Sequence, residues 1–333
     1  MSRTGLDIVT GVAAGSARES TYPRSVGVLG SGFLAGPLTA RLIDALPRGT
    51  HVSVFGRKPD LLARQQALGA IRTASPADLA ARSEVVFFLL GDLDQIETQL
   101  TGPSGFEAGV HSPTIAVIAT AQAPDELRSL AHRIADRTAG RLRLVDAPLS
   151  GPRSAVLRGE LSVAVGVASS AYPAIAPLLS LLGPCLRVGG IGSAQVAHAC
   201  EQLMVAATAV GLGEAILVAE RAGLDVDSLL ANWRRSDAAG LLLEGAREQR
   251  GSREAEREQP ASLVAGSLEV GAAEAERIGV PARVLAELRA IEDRLEKSGL
   301  GHQDLSSGYR SLVAAEARPR PAEATAASDT GAA

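Results

Sequence analysis

The chain has 333 residues, a formal net charge of −4 at pH 7, 46% hydrophobic residues and 3% aromatic ones. That length suggests two domains with aliphatic cores, and the weak negative charge excludes a global field that draws nucleic acid or an anionic membrane. Cys185 and Cys200 are the only cysteines. They make no disulfide framework and point to a reducing, cytoplasmic setting, and no apolar run approaches the ~20 residues of a membrane span.

Residues 1–23 include Asp7 and Glu19 and lack the charged-then-apolar order of a signal peptide, so they read as a flexible leader. The β-branched run Ser25-Val26-Gly27-Val28-Leu29 then meets Gly30-Ser31-Gly32 and a helix-like segment through Phe33, Leu34 and Ala35. This is the strand–turn–helix signature of a dinucleotide site. Gly30 permits the tight turn, Gly32 lets the backbone approach a pyrophosphate, and Ala35 lets helix pack close to strand. The free N–H groups at the helix start favour the pyrophosphate charge, and Pro37 suits a first helical turn.

Residues 50–55 read as a second strand. An NAD site usually ends this strand with a carboxylate for the ribose hydroxyls. Here Gly56-Arg57-Lys58 follows, where Arg57 can grip a 2′-phosphate with its planar fork and Lys58 adds a point charge. The cofactor expected is NADP(H).

Residues 85–90 form a continuous apolar run, as in a strand buried on both faces, and Gly91-Asp92 stops it. Residues 115–118 repeat the pattern and 142–145 alternate. Between them 124–138 read as a helix with Pro-Asp-Glu in its first turn. Residues 162–167 are a further strand and 171–182 a helix. The arrangement is α/β, a doubly wound parallel sheet over residues 24–190.

After Gly192 the texture changes. Residues 193–222 contain no proline and end at Gly223, a helix stop. Such a helix spans about 45 Å at 1.5 Å per residue, and Gly211 and Gly213 weaken it by about 1 kcal/mol each unless something packs closely there. Only helical patterns follow, with a solvated Arg- and Glu-rich stretch over 241–259. Residues 191–316 therefore read as an all-helical domain and 317–333 as a disordered tail.

Together these residues resemble the β-hydroxyacid dehydrogenase family, which includes 3-hydroxyisobutyrate and 6-phosphogluconate dehydrogenases and, more distantly, imine reductases. The resemblance covers residues 24–312. It rests on the turn at Gly30 to Ala35, on Arg57, and most specifically on Asp146-Ala147-Pro148-Leu149-Ser150-Gly151, similar to the family's substrate-binding segment, which Gly159 and Leu161 continue. Gly192-Ser193-Ala194-Gln195 opens the interdomain helix in the family manner, with Glu214 and Ala222-Gly223-Leu224-Asp225 closing it. Gly279-Val280-Pro281, Gly301 and Asp304 fit the end of the helical domain. The resemblance implies a Rossmann domain joined by a long helix to a helical domain. It also implies cofactor contacts from Gly30, Gly32, Phe33, Leu34, Ala35, Arg57, Lys58, Leu90 and Thr120, a small-molecule substrate held by Ser150 and Gly151, no metal, and a homodimer packed through the helical domain.

The chain departs from the family where catalysis is concentrated. The family's catalytic Lys corresponds to His198, its paired Asn residues to Glu201 and Gln202, and a second Lys to about Gly266. Lys58 and Lys297 are the only lysines, and neither is placed to substitute. Histidine can move a proton with little tuning, and His198 and Gln202 are four apart, on one helical face. The expected roles are proton donor or orienter for His198, substrate anchor for Ser150 and hydrogen-bonding partner for Gln202. Arg153 is either a carboxylate ligand or an exposed loop residue. Three functions stay open: NADP(H)-dependent hydride transfer to or from a small β-hydroxyacid or carbonyl substrate, imine reduction, in which the substrate is already activated, and NADPH binding without turnover.

Overall fold

Strands and helices alternate from Ser25 to Gly189 in the computed structural model, which describes residues 22–233, 261–303 and 305–316. The leader, the 241–259 stretch, Asp304 and the tail fall outside these. Strand β1 (Ser25–Leu29) pairs in parallel with β2 (His51–Phe55) on one side and β4 (Val85–Phe88) on the other, with β3 (Ile71–Arg72) beyond β2. β5 (Thr114–Ile118) and β6 (Leu142–Asp146) extend the parallel ladder. The order is β3-β2-β1-β4-β5-β6-β8-β7, with β9 (Cys185–Gly189) beside β8 (Ser162–Gly166).

The sheet is not parallel throughout, unlike the sequence reading. The chain returns from β6 through β7 (Leu149–Ser150), and both β6 and β7 pair antiparallel to β8. This return has no full crossover layer, so the antiparallel sense is available to it. The two-residue strand β3 and the half-exposed β9 carry no apolar run that a sequence pattern could catch.

All four residues of β4 are buried because both sheet faces are covered. Val85 and Phe87 join the core under helices α1 (Ala35–Ala45) and α7 (Tyr172–Ser180). Val86 and Phe88 join the opposite core, with Leu127, Leu130 and Ile134 of α5 (Pro124–Arg137). There Phe88 meets Phe106 edge-on, centroids 5.1 Å apart. Residues 89 and 90, read as strand, lie past β4 at its carboxyl end.

The remaining helices of this region are α2 (Pro59–Ala67), α3 (Pro76–Ala81), α4 (Leu93–Leu100) and α6 (Arg153–Arg158). After β9 come α8 (Ser193–Arg221), α9 (Val226–Trp233), α10 (Ala261–Arg277), α11 (Arg283–Lys297) and α12 (Leu305–Glu316), with no strand among the described residues. Contacts divide the chain into two compact units. The first comprises the described residues up to Val205 with Leu263–Ala286, and the second the described residues of Ala206–Ser262 and Glu287–Ala333. Within the second, the Tyr309 hydroxyl donates to Glu214 Oε1 at 2.6 Å, and Arg310 pairs with Glu220 at 2.6 Å.

By length and composition α8 is apolar enough to cross a membrane, which corrects the sequence reading that no stretch approaches that length. Its alanines raise the hydropathy without a run of large apolar side chains. The same helix buries Gln195, His198 and Gln202. At Gly211 an added Cβ would meet nothing within 4 Å. Gly211→Ala is therefore expected to stabilise the protein by about 0.5–1 kcal/mol, read as a raised midpoint in thermal or urea unfolding.

Candidate functional site

The glycine turn follows the carboxyl end of β1. Gly30 has φ +135°, and a Cβ there would lie 2.5 Å from the Leu89 carbonyl oxygen, so only glycine fits. Its N–H donates to the Phe55 carbonyl at 2.8 Å, fastening the turn to the end of β2. Gly32 is different: a Cβ there would find Leu89 O no closer than 3.9 Å, leaving open space above the turn. Leu34 caps α1 and Ala35 is buried at its start. A turn closed beneath and open above suits a diphosphate at the switch between β1 and β4. Arg57 and Lys58 lie just past β2, after Gly56, and are exposed. Neither forms an ion pair among the described residues.

Leu90 and Thr120 lie past the carboxyl ends of β4 and β5. The Thr120 hydroxyl donates to the Leu90 carbonyl at 2.7 Å, and Gln122 Nε2 donates to Thr120 Oγ1 at 3.0 Å. Gln122 N–H in turn donates to Gln195 Oε1 at 2.8 Å. Gln195 Nε2 donates to the Thr120 carbonyl at 3.1 Å and to Asp146 Oδ1 at 2.8 Å.

Asp146 ends β6 with no exposure to solvent. Its Oδ2 accepts from the N–H groups of Gly192, Ala194 and Gln195 at 2.8, 3.1 and 3.3 Å, so it satisfies donors that the first turn of α8 leaves free. Opposite it in the ladder, Gly166 leaves the carboxylate room, since a Cβ there would lie 2.7 Å from Oδ2. Burial pushes the carboxyl up to about 6, against the bonds from Gln195, Gly192 and Ala194 that pull it down.

His198 lies one turn beyond Gln195 on α8, with 8% exposure, and its Nδ1 has no partner. Burial lowers its pKa to about 4, so the ring is neutral near pH 7. Gln202 is buried one turn further. Ala199, beside His198, is approached by α10, where a Cβ at Gly271 would lie 3.5 Å away. Nothing lies within 4 Å of a Cβ at Gly266.

Ser150 pairs with Ser162 through its backbone. Gly151 has φ +128°, with Leu161 2.8 Å from where its Cβ would be, so the segment after β6 also turns on a glycine. Arg153, the first residue of α6, holds its guanidinium 5.1 Å over the Phe33 ring. This cation–π contact ties the segment after Ser150 to the glycine turn.

The structure thus gathers Gly30, Leu90, Thr120 and Asp146 at the carboxyl ends of four adjacent strands and fastens α8 to two of them. The sequence singled out the strand ends and His198. It contained Asp146 and Gln195 only as parts of motifs, and the bond between them was the missing element.

Comparison with known proteins agrees with this architecture. The family of the NAD binding domain of 6-phosphogluconate dehydrogenase matches residues 25–190, and that of the NAD-binding domain of NADP-dependent 3-hydroxyisobutyrate dehydrogenase matches 192–312. A mitochondrial 3-hydroxyisobutyrate dehydrogenase-like protein of Arabidopsis thaliana is 28% identical over 214 residues, covering 62% of this chain and 70% of that one. Across three such plant relatives the match spans between 60% and 70% of their length. The crystal structure of 3-hydroxyisobutyrate dehydrogenase from Salmonella typhimurium has a TM-score of 0.75 at 18% identity, covering 86% of this chain and 99% of that one. An imine reductase variant from Myxococcus stipitatus has a TM-score of 0.57 at 15% identity, covering 88% and 99%. At these identities the two structures speak for the fold.

Proposed function

Because the chain belongs to the β-hydroxyacid dehydrogenase family of NAD(P)-binding oxidoreductases, we propose that it is an NADP(H)-dependent oxidoreductase acting on a small β-hydroxyacid or carbonyl substrate. His198 stands where the family has its Lys. The nicotinamide supplies the hydride chemistry when bound; the protein positions the substrate and manages the proton on its heteroatom. The observation that carries the reading is the orphaned, buried Nδ1 of His198, one turn from the bonds that join α8 to the strand ends. A buried polar atom without a partner is costly, and a substrate oxygen would satisfy it.

A neutral imidazole is first a hydrogen-bond donor that orients this oxygen. A bound carboxylate nearby would raise its pKa toward the ordinary range and make it a proton donor. Ser150 and Gly151 complete the substrate contacts in this proposal, and Gln202 supports them from the His198 face. The test is NADPH oxidation with β-keto acids and semialdehydes, in the wild type and in His198→Ala.

The lowered pKa of His198 also favours a second reading, imine reduction. An iminium ion carries its own activation, and a neutral ring beside it avoids the repulsion an ammonium would exert. Cyclic imines in the same panel separate the two. An imine reducer keeps its rate in His198→Ala, and a carbonyl reducer does not.

Cofactor choice rests on Arg57 in this proposal. Arg57→Ala is expected to weaken NADPH binding by about 10- to 100-fold, equivalent to about 1.4–2.7 kcal/mol. NADH affinity should stay within about threefold, since NADH has no 2′-phosphate to lose. Fluorescence titration with both nucleotides checks it; equal losses for both would remove Arg57 from the 2′-phosphate site. The proposal also takes the protein to be a cytoplasmic homodimer, and sedimentation of the purified protein tests the dimer.

A further inference from the structure

Gln195 binds no substrate in the reading above, yet its buried side chain makes three hydrogen bonds, to Gln122, Thr120 and Asp146. Its amide has no exposure and uses both ends: Oε1 accepts from Gln122 N–H, and Nε2 donates to the Thr120 carbonyl and to Asp146 Oδ1. These partners hold the amide in one orientation. Asp146 is itself fixed by three N–H groups of the α8 start. On the far side of Thr120, the hydroxyl is bonded to the Leu90 carbonyl. A continuous path of hydrogen bonds therefore runs from Leu90 and Thr120, at the strand ends where the cofactor is placed, to the helical turn preceding His198. The three-residue spacing puts Gln195 and His198 on the same side of α8.

We propose that Gln195 is a positioning residue: it transmits cofactor occupancy at the Leu90 and Thr120 strand ends to the orientation of His198, with Asp146 as its buried anchor. This rests on the cofactor reading above. The loop carbonyls that face a bound dinucleotide are tied to α8 through a rigid amide, so a change of position at 120–122 moves the turn that carries His198. A neutral ring with a free Nδ1 has no other polar restraint on that atom, so its orientation follows the helix.

Gln195→Met keeps the side chain's length and removes all three bonds. Gln195→Leu removes the same bonds with a shorter apolar side chain, and it serves if the Met variant does not fold. The probe is NADP+ itself, added to full-length protein while the ring signals of His198 are followed by NMR. The chain has five histidines, and the missing signal in His198→Gln assigns this one. In the wild type NADP+ should shift the His198 ring signals. In a folded Gln195 variant NADP+ should still bind, with the His198 shift lost. An unchanged shift in the variant overturns the proposal while leaving the cofactor reading intact. Absence of NADP+ binding to the wild type overturns both. Once a substrate is found, a double-mutant cycle adds a readout that mere structural support does not move. Gln195→Met should lower kcat about tenfold in the wild type and leave it unchanged in a His198→Ala background; equal losses in both backgrounds contradict the proposal.

Discussion

Gly32→Ala is expected to leave the fold intact while weakening NADPH binding by about tenfold or more, at least about 1.4 kcal/mol. Gly30→Ala is expected to lose binding and stability together. The two glycines are two residues apart, and the structure separates their duties. At Gly30 an alanine would have to hold φ at +135° with its Cβ 2.5 Å from the Leu89 carbonyl oxygen. Strain of that kind costs roughly 1–3 kcal/mol for the backbone alone, and the clash forces β1 and the end of β4 apart. At Gly32 the nearest protein atom to an added Cβ is 3.9 Å away, so the fold has no reason to object. A diphosphate seated on the turn would, because the methyl occupies the space through which the backbone approaches it. Thermal unfolding and NADPH titration of the two variants check this. Unchanged NADPH affinity in Gly32→Ala would place the dinucleotide elsewhere.

The second large effect is expected at His198. In carbonyl reduction His198→Ala should reduce turnover by about 10²–10⁴-fold, the range for loss of a positioned acid–base group. A separate signature needs no substrate. The imidazole titrates at about 4 in the folded protein and at 6.5 in its ordinary state. Above 6.5 both states hold it neutral, and its contribution to stability is fully present. As the pH falls from 6.5 through 4, the unfolded chain takes up a proton that the folded one refuses, and stability is lost. By pH 5 the loss amounts to roughly 2 kcal/mol. His198→Gln, which has no such proton, should therefore gain about that much relative to the wild type between pH 7.5 and pH 5. Urea midpoints at the two values check it; parallel curves would mean that the ring is not buried in neutral form.

The parts of this molecule that a sequence shows well are those encoded within a few residues. Turn and helix after β1 follow from Gly30, Gly32 and Ala35 in one short segment. The start of α5 follows from Pro124, Asp125 and Glu126, which the structure places in its first turn. The burial of β4 follows from an unbroken apolar run. The antiparallel return through β7 did not show, because two residues carry no period. Asp146 and Gln195 were legible as motif members but not as partners: their bond joins residues 49 positions apart, and no local pattern encodes it. The state of His198 was the least legible. Its sequence neighbours Ala197 and Ala199 are compatible with a solvated helix face, and its neutral form follows only from the packing that hides it. The Ala-rich composition of α8 concealed a length and hydropathy sufficient for a membrane span, because small residues build an apolar helix without an apolar run.

The most direct measurement is a fluorescence titration of the purified protein with NADPH and NADH, followed in the same cuvette by NADPH oxidation against β-keto acids, semialdehydes and cyclic imines. NADPH should bind more tightly than NADH, and one of these substrate classes should oxidise it. Failure of both nucleotides to bind would contradict this reading at its root, in the turn from Gly30 to Ala35.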